Sequence, residues 1–311
     1  MNAIIVGANG RPSILDMMRT FDFDSEVVMY TYLRSRRKNK TIWQSYTNLK
    51  HGLTHKRGIS EPSFNTGDKV IMWGTRVQIE LGNAIVYNHP KVSNNASNKK
   101  IAREIFEEKD IAAPKLIKHN ELYKAPYPVI IRKDRHRAGI EFYIANNDLE
   151  ATTIVSKLNG AEYYISEIYP KTAEYRVHCA SGKALLVKQK PSPEDKSVVA
   201  WNFHQNQLPW STIDRAKYDF DMVSLSLKAI DALGLDYGAV DIMSEPSRDG
   251  FPKHVVVEVN TAPSYTPYLI SKYGAYFNKI FSESTKLEAW DHSKFKKGKS
   301  LSWKNKQLNN K

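Results

Sequence analysis

With 311 residues, the chain is long enough for two domains, or for one domain with an appended lobe, and its 41% hydrophobic and 11% aromatic content can fill a core. No apolar run is long enough to span a bilayer, and the single cysteine, Cys179, excludes an intrachain disulfide and a thiolate metal cluster. A formal net charge of +13 favours an anionic partner, whether nucleotide phosphates, nucleic acid or an acidic protein.

The first residues, Met1 to Gly7, lack the basic segment of a signal peptide and read as an opening strand from Ala3 to Val6, so a cytoplasmic location is expected. Gly7 and Gly10 then mark a turn into a helix from about Ser13. Their spacing is incomplete for a dinucleotide loop and Arg11-Pro12 follows, so a tight or substrate-facing turn is preferred over NAD binding. Val27 to Tyr30 and Val70 to Trp73 are further strand candidates in a small α/β layer. Ile101, Ala102, Ile105 and Phe106 lie on one side of an amphipathic helix from Asn98 to Asp110. Strands are expected at Lys115 to Lys118, Pro128 to Arg132 and Ile140 to Ile144. The basic loop Asp134 to Gly139 is one way to cover a polyphosphate with backbone N–H groups and cations. Asn147 to Leu158 reads as a helix capped by Asn147 or Asp148, and Glu162 to Ile168 as a strand.

From Ala173 the pattern turns antiparallel. Glu174 to His178 alternates, Ser181-Gly182 makes a hairpin turn, and Ala184 to Lys190 returns with Lys188 and Lys190 on one face. A long helix is expected from Ile213 to Leu233, ended by Gly234. Two apolar runs follow, carrying Asp241 on one and Glu258 and Asn260 on the other. Residues two apart on a strand share a face, so Glu258 and Asn260 converge while Val257 and Val259 point away. An Asp on the adjacent strand completes a set of hard oxygen donors suited to Mg²⁺; the competing reading is carboxylates that merely end strands. Cys179 reads as a small buried residue.

These residues carry a resemblance to the ATP-grasp superfamily of carboxylate–amine ligases, running from about Lys99 to Ser264. Within that superfamily the chain is similar to the ligase that adds glutamate to a ribosomal protein and to ATP-grasp proteins encoded by bacteriophages. Lys99 stands fifteen residues before Pro114, as a nucleotide-binding lysine does in that glutamate ligase. Arg132 stands where the family has a second such lysine, with Gly139-Ile140 at the family spacing. Glu167 fits the hinge that contacts adenine or ribose, and Glu174-Tyr175-Arg176 resembles an acidic-x-Arg motif at the phosphate end. Asn202-Phe203-His204, Leu233 to Asp236, Val240-Asp241 and Glu258-Val259-Asn260 match further runs, the last being the most specific. Departures are Arg132 for lysine, the single glycine of the covering loop, Ala200 near an arginine position, and Ser264 for glycine.

The resemblance implies an α/β (α+β) ATP-grasp fold with a Rossmann-like pre-ATP-grasp domain over 1–92, two ATP-grasp lobes over 93–285 and a basic tail over 286–311. It implies ATP and Mg²⁺, with two ions bridged by Glu258 and Mn²⁺ as a substitute. Asp241, Glu258 and Asn260 would be the metal ligands. Lys99, Arg132, Gly139, Glu167, Glu174, Arg176 and Lys188 would hold the nucleotide, with Arg176 also catalytic. The substrates would be a carboxylate donor and an amine acceptor, either of them a peptide or protein, joined through an acyl phosphate. If the chain is phage-encoded, the compartment is the host cytoplasm. A degenerate nucleotide-binding protein without ligase activity stays open. The Arg34 to Lys40 cluster and the lysines from Lys294 onward lie outside the resemblance; a nucleic-acid-binding surface, a recruiting patch for an anionic macromolecule and a solvated face all stay open for them.

Overall fold

The apolar run Ala3 to Val6 is buried along its whole length, as expected for a strand covered on both faces. The structure is a computed structural model that describes residues 2–8, 16–18, 21–35, 40–49, 52–75, 77–133, 142–158, 162–193, 209–245, 253–263 and 266–283. Its first sheet has six strands: β1 (Ala3–Ala8), β2 (Val27–Ser35), β3 (Lys40–Leu49), β4 (Gly52–Ile59), β5 (Lys69–Trp73) and β6 (Ile85–Tyr87). They are ordered β4-β3-β2-β1-β5-β6. The β2, β1, β5 and β6 strands run parallel, and the β3–β4 hairpin is antiparallel. The three strands expected from sequence are present. The β3–β4 hairpin is an addition to them: Gln44, Ser45, Thr47 and Asn48 interrupt the apolar pattern of β3 and leave no clear strand signal in the sequence. Of the helix expected from Ser13, residues 16–18 are helical within the described chain.

Helix α1 (Pro90–Ser97) meets α2 (Lys99–Glu108) at Asn98, whose extended backbone breaks the run. The Asn98 side chain accepts from the backbone N–H groups of Lys100 and Ile101, so Lys99 becomes the first residue of a capped helix. The second sheet is antiparallel throughout, ordered β7-β10-β8-β9. It is built from β7 (Leu116–Ile117), β8 (Val129–Lys133), β9 (Phe142–Ala145) and β10 (Tyr163–Glu167). Helix α3 (Asp148–Lys157), capped by Asn147, covers one face through Ala151, which packs with Val129, Ile131 and Ile165.

The third sheet holds β11 (Ala173–Ala180), β12 (Lys183–Lys190), β13 (Ser211–Thr212), β14 (Tyr237–Glu245) and β15 (Lys253–Asn260), ordered β13-β12-β11-β14-β15 and antiparallel. Helix α4 (Phe220–Ala232) starts seven residues later than Ile213, the expected start. Asp214 and Asp219 each accept from a backbone N–H two or three residues on, which closes a short turn and then caps the true helix, while Ser211 and Thr212 pair with β12. Gly234, at φ 70°, ends α4: Leu235 N–H donates back to Ile230 O. Val177, Cys179, Val187, Val240, Ile242, Val256 and Val259 form the apolar face under α2 and α4. The opposite face of the same strands carries the charges described below.

Helix α5 (Pro267–Ser282) returns to the first sheet. Its Tyr273 and Phe277 pack edge-on against Trp73, which also stacks on Tyr237 at 5.5 Å. Buried Lys69 donates to the terminal α5 carbonyls of Ile280 and Phe281 and to that of Glu283. Asn88, at φ 55°, exchanges hydrogen bonds with the Asp236 backbone and carboxylate and with Tyr237 O. These contacts bind the first sheet to the start of β14. Among the described residues no helix is long and apolar enough to cross a membrane.

Candidate active site

Strand register sets the site. Lys188 lies opposite Arg176, Arg176 opposite Asp241, and Asp241 opposite Glu258, forming one row across four strands. Directly opposite residues share a face, so two cations and two carboxylates line up in order of charge. A bulge makes this possible on β15. Asp241 pairs with Glu258 but Ile242 with Val256, leaving Val257 as the extra residue. The bulge keeps both Val256 and Val259 in the apolar core while Glu258 and Asn260 face the site. Val259 therefore points away as expected; Val257 owes its position to the bulge and not to simple alternation.

Each carboxylate is engaged. Arg176 donates to Asp241 twice, Nε to Oδ1 at 2.6 Å and Nη2 to Oδ2 at 2.7 Å. Lys99 Nζ reaches across from α2 to Glu258 Oε2, and Asn260 Nδ2 donates to Glu258 Oε1 at 3.1 Å. The Lys99 ammonium holds the Glu258 carboxyl far below its ordinary pKa despite burial. Burial pushes Asp241 up, against the pull of Arg176. For Arg176, burial disfavours the charge but Asp241 outweighs it and keeps the guanidinium protonated. Lys188 is held down by burial and then by Arg176; it has no ion-pair partner among the described residues.

Sequence reasoning missed three residues here. Arg103, one turn after Lys99, is buried and donates to Pro114 O at 2.6 Å and to Val257 O, at the bulge, at 3.2 Å. Together with Val256 N–H donating to Ala112 O, it fastens α2 to β15 and so carries Lys99 to Glu258. A charged residue on the apolar side of an amphipathic helix was the available signal. His178, two residues from Arg176 and fully buried, contacts the Tyr273 hydroxyl through Nδ1 at 3.3 Å; its pKa is lowered well below the ordinary value by burial, then by Arg176 and Lys188. Trp210 lies under both Arg176, 4.7 Å from the ring centroid, and Lys190, 4.5 Å away. Nothing in the local sequence marked Trp210 as part of this cluster.

The remaining expected residues fall as follows. Glu174 is bound on both oxygens, by Lys171 and by Lys190 at 2.9 Å, one row along from Arg176. Glu167 ends β10 and accepts from Lys115 N–H at 2.9 Å. Arg132 lies on β8 over the Phe142 ring, its buried Nε without a hydrogen-bond partner among the described residues. Arg132, Glu167 and Glu258 all act electrostatically on Arg103, so second-sheet and third-sheet charges meet around α2. Gly139, Ala200, the Asn202 to His204 run and Ser264 lie outside the described residues.

The donor set fits a divalent cation: Asp241, Glu258 and Asn260 present two carboxylates and an amide on one face, and Mg²⁺ takes such hard oxygens while filling its other positions with phosphate and water. Among the described residues no cluster of three His, Cys, Asp or Glu forms an all-protein metal cage. The paired cations are the second half of the arrangement, since Lys99 and Arg176 cancel the charge of the two carboxylates.

No protein-family model matches the chain, and no curated protein sequence matches it. Its fold is similar to that of solved ATP-grasp ligases. It superimposes on ATP-grasp ligase PsnB complexed with minimal precursor with a TM-score of 0.60 at 12% identity, over 91% of this chain and 99% of that one. A Chryseobacterium gregarium RiPP-associated ATP-grasp ligase, in complex with ADP and a leader and core peptide, gives 0.57 at 13% identity over 93% and 99%. The D-alanine–D-alanine ligase of Bacillus anthracis complexed with ATP gives 0.56 at 18% identity over 90% and 94%. At these identities the likeness is one of fold.

Proposed function

We propose that the protein is an ATP-dependent carboxylate–amine ligase that acts on a peptide or protein in the cytoplasm. The observation that carries this reading is the row Lys188, Arg176, Asp241 and Glu258, with Lys99 delivered onto Glu258 from a capped helix. Bound Mg²⁺, held by Asp241, Glu258 and Asn260, would supply neutralisation of charge on the transferring phosphoryl group. Lys99 and Arg176 would then turn from the carboxylates to phosphate oxygens, and Lys188, with no ion-pair partner in the described chain, would join them. Two divalent ions and a fully ionised nucleoside triphosphate roughly cancel in charge, so this exchange leaves the buried row near neutrality.

A carboxylate anion is a poor electrophile. In the proposed reaction its oxygen attacks the γ-phosphorus and ADP leaves, giving an acyl phosphate. The amine, having lost one proton to solvent, attacks the acyl carbon, the C–O bond to phosphate breaks, and the departing phosphate takes up the second amine proton as the amide forms. Arg176, turned from Asp241 to the phosphate oxygens, would stabilise the negative charge that passes between these oxygens. A macromolecular acceptor is supported by the peptide complexes of the ligases of similar fold and by the resemblance to the ribosomal-protein glutamate ligase. The test is ADP release with pooled amino acids and candidate acceptor peptides, products being read by mass spectrometry, beside Mg²⁺-dependent protection by ATP against thermal unfolding. Absence of both protection and ADP release would overturn the reading.

A further inference from the structure

Between positions 27 and 60 the sequence has eight Lys and Arg and no Asp or Glu, so most of the net charge of +13 is concentrated in β2, β3, β4 and their connections. No nucleotide-site residue lies there. Strand β4 ends its sheet: among the described residues nothing pairs with its outer edge, and Thr54 to Gly58 are exposed. An unpaired edge offers N–H and C=O groups to any added strand, and neutral strands are normally discouraged by charge there. Here the charge is of one sign and on both faces. Lys56 lies opposite Ser45 on one face. Arg57 lies opposite Gln44, and His55 opposite Tyr46, on the other. The His55 ring is locked flat on Tyr46, 4.3 Å between centroids, and bonded to Gln44, which stiffens the strip. Gly58, at φ 67°, is the extra residue of a bulge and has open space around it.

We infer that the Thr54–Arg57 edge is a docking strip for an acidic segment of a polypeptide substrate, added as a further strand with consecutive Asp or Glu facing Lys56 and Arg57. Strand addition gives affinity through the backbone, and the two cations select an acidic partner over a neutral one. A polypeptide is favoured over nucleic acid because the strip presents a free backbone edge that a nucleic acid cannot pair with. Register also gives the strip a direction. Ile59, Trp43, Tyr32 and Ala8 lie at one end of the sheet, the end at which Trp73 meets Tyr237 and Tyr273 beside His178. A strand on β4 would thus point one end toward the side of the sheet that faces the third-sheet row, with β4 only about 14 Å from β1 across three strand spacings. What the docking is for rests on the ligase reading; the docking itself does not.

The probe is a fluorescein-labelled Thr-Val-Glu-Glu-Val-Thr peptide, measured by anisotropy with the full-length protein at low and moderate salt. Binding is expected to weaken at least tenfold in the Lys56→Glu/Arg57→Glu variant and with a Gln-Gln peptide. On the parent protein, N-methylating alternate backbone nitrogens in one frame should weaken binding at least tenfold, and the other frame should be tolerated. Equal affinity for parent and variant, indifference to both methylation frames, or displacement of the peptide by a single-stranded oligonucleotide that binds more tightly through Lys56 and Arg57 would each overturn the proposal. ATP with Mg²⁺ should protect parent and variant alike against thermal unfolding. Absence of both that protection and ADP release in the parent refutes the ligase reading and leaves the docking strip standing, whereas unchanged peptide affinity in the variant does the reverse.

Discussion

Arg176→Met should destabilise the protein more than Asp241→Asn, although the two changes break the same ion pair. Both side chains are largely buried, 16% and 17% exposed, and joined by two short hydrogen bonds. Removing one member of such a pair typically costs about 3–5 kcal/mol, because the other is left as an uncompensated buried charge. What remains nearby decides the asymmetry. Without Asp241, Arg176 still has Glu258 and Glu174 as opposite charges. Without Arg176, Asp241 keeps only the more distant Lys190 and faces repulsion from Glu258, in a site whose burial already disfavours its ionised form. Arg176→Met is therefore expected near the upper end of that range, and Asp241→Asn nearer the about 1.5–3 kcal/mol of a lost hydrogen bond to a charged group. A double variant, Arg176→Met with Asp241→Leu, should recover to within about 1–2 kcal/mol of the parent, since a packed apolar pair can replace a buried ion pair. Urea unfolding followed by far-ultraviolet circular dichroism, with midpoints compared at unchanged slope, measures all four proteins. Equal costs for the two single variants, or a larger cost for Asp241→Asn, would refute the charge assignment of the row.

Glu258→Ala and Asn260→Ala should each abolish ADP formation while leaving the circular dichroism spectrum unchanged; turnover at the parent rate would remove both residues from the proposed metal set. Glu258 has a folded pKa depressed by Lys99, so in nucleotide-free protein its stabilisation is complete above its ordinary value of 4.5 and is lost as pH falls below it toward the depressed value. Lys99→Met should accordingly flatten the acid-side decline of stability, and an unchanged slope in unfolding free energy against pH would contradict the pairing. Lys69→Met should lower stability by about 2–3 kcal/mol, because it withdraws charge-assisted hydrogen bonds from carbonyls at the end of α5. Cys179 is fully buried and its thiol is pushed well above its ordinary pKa by burial, so native protein should resist alkylation that urea-unfolded protein accepts readily.

The two acidic strands were readable because alternation of side chains is local: Val240-Asp241 and Glu258-Val259-Asn260 put their polar atoms on one face without reference to any other part of the chain. The partners of those carboxylates were only half readable. Lys99 could be placed on a helix but not over Glu258, since that depends on Arg103 reaching carbonyls at Pro114 and at Val257, the latter 154 residues further along. The bulge at Val257 had no signature, because Val255, Val256 and Val257 look alike until Val256 and Val259 are both required in one core. Helix α4 starts later than expected because Asp214 and Asp219 each bind backbone N–H groups more locally than a continuing helix would allow. Trp210 was invisible for the opposite reason: its neighbours, Arg176 and Lys190, come from strands far from it in the chain.

The closure of α5 onto the first sheet sets an order of events during synthesis. Trp73 and Lys69 are made early, but the helix that covers the one and is capped by the other follows much later, Lys69 and Ile280 being 211 residues apart. At about 5–20 residues per second, roughly 10–40 s pass on the ribosome between the two. Throughout that interval Ile5, Met29, Ile71 and Trp73 have no α5 to bury them. The nascent chain therefore carries an exposed apolar sheet face for most of its translation, and a ribosome-associated chaperone that shields such faces should raise the soluble yield of this protein more than that of a chain whose opening sheet is covered by the segment that immediately follows it.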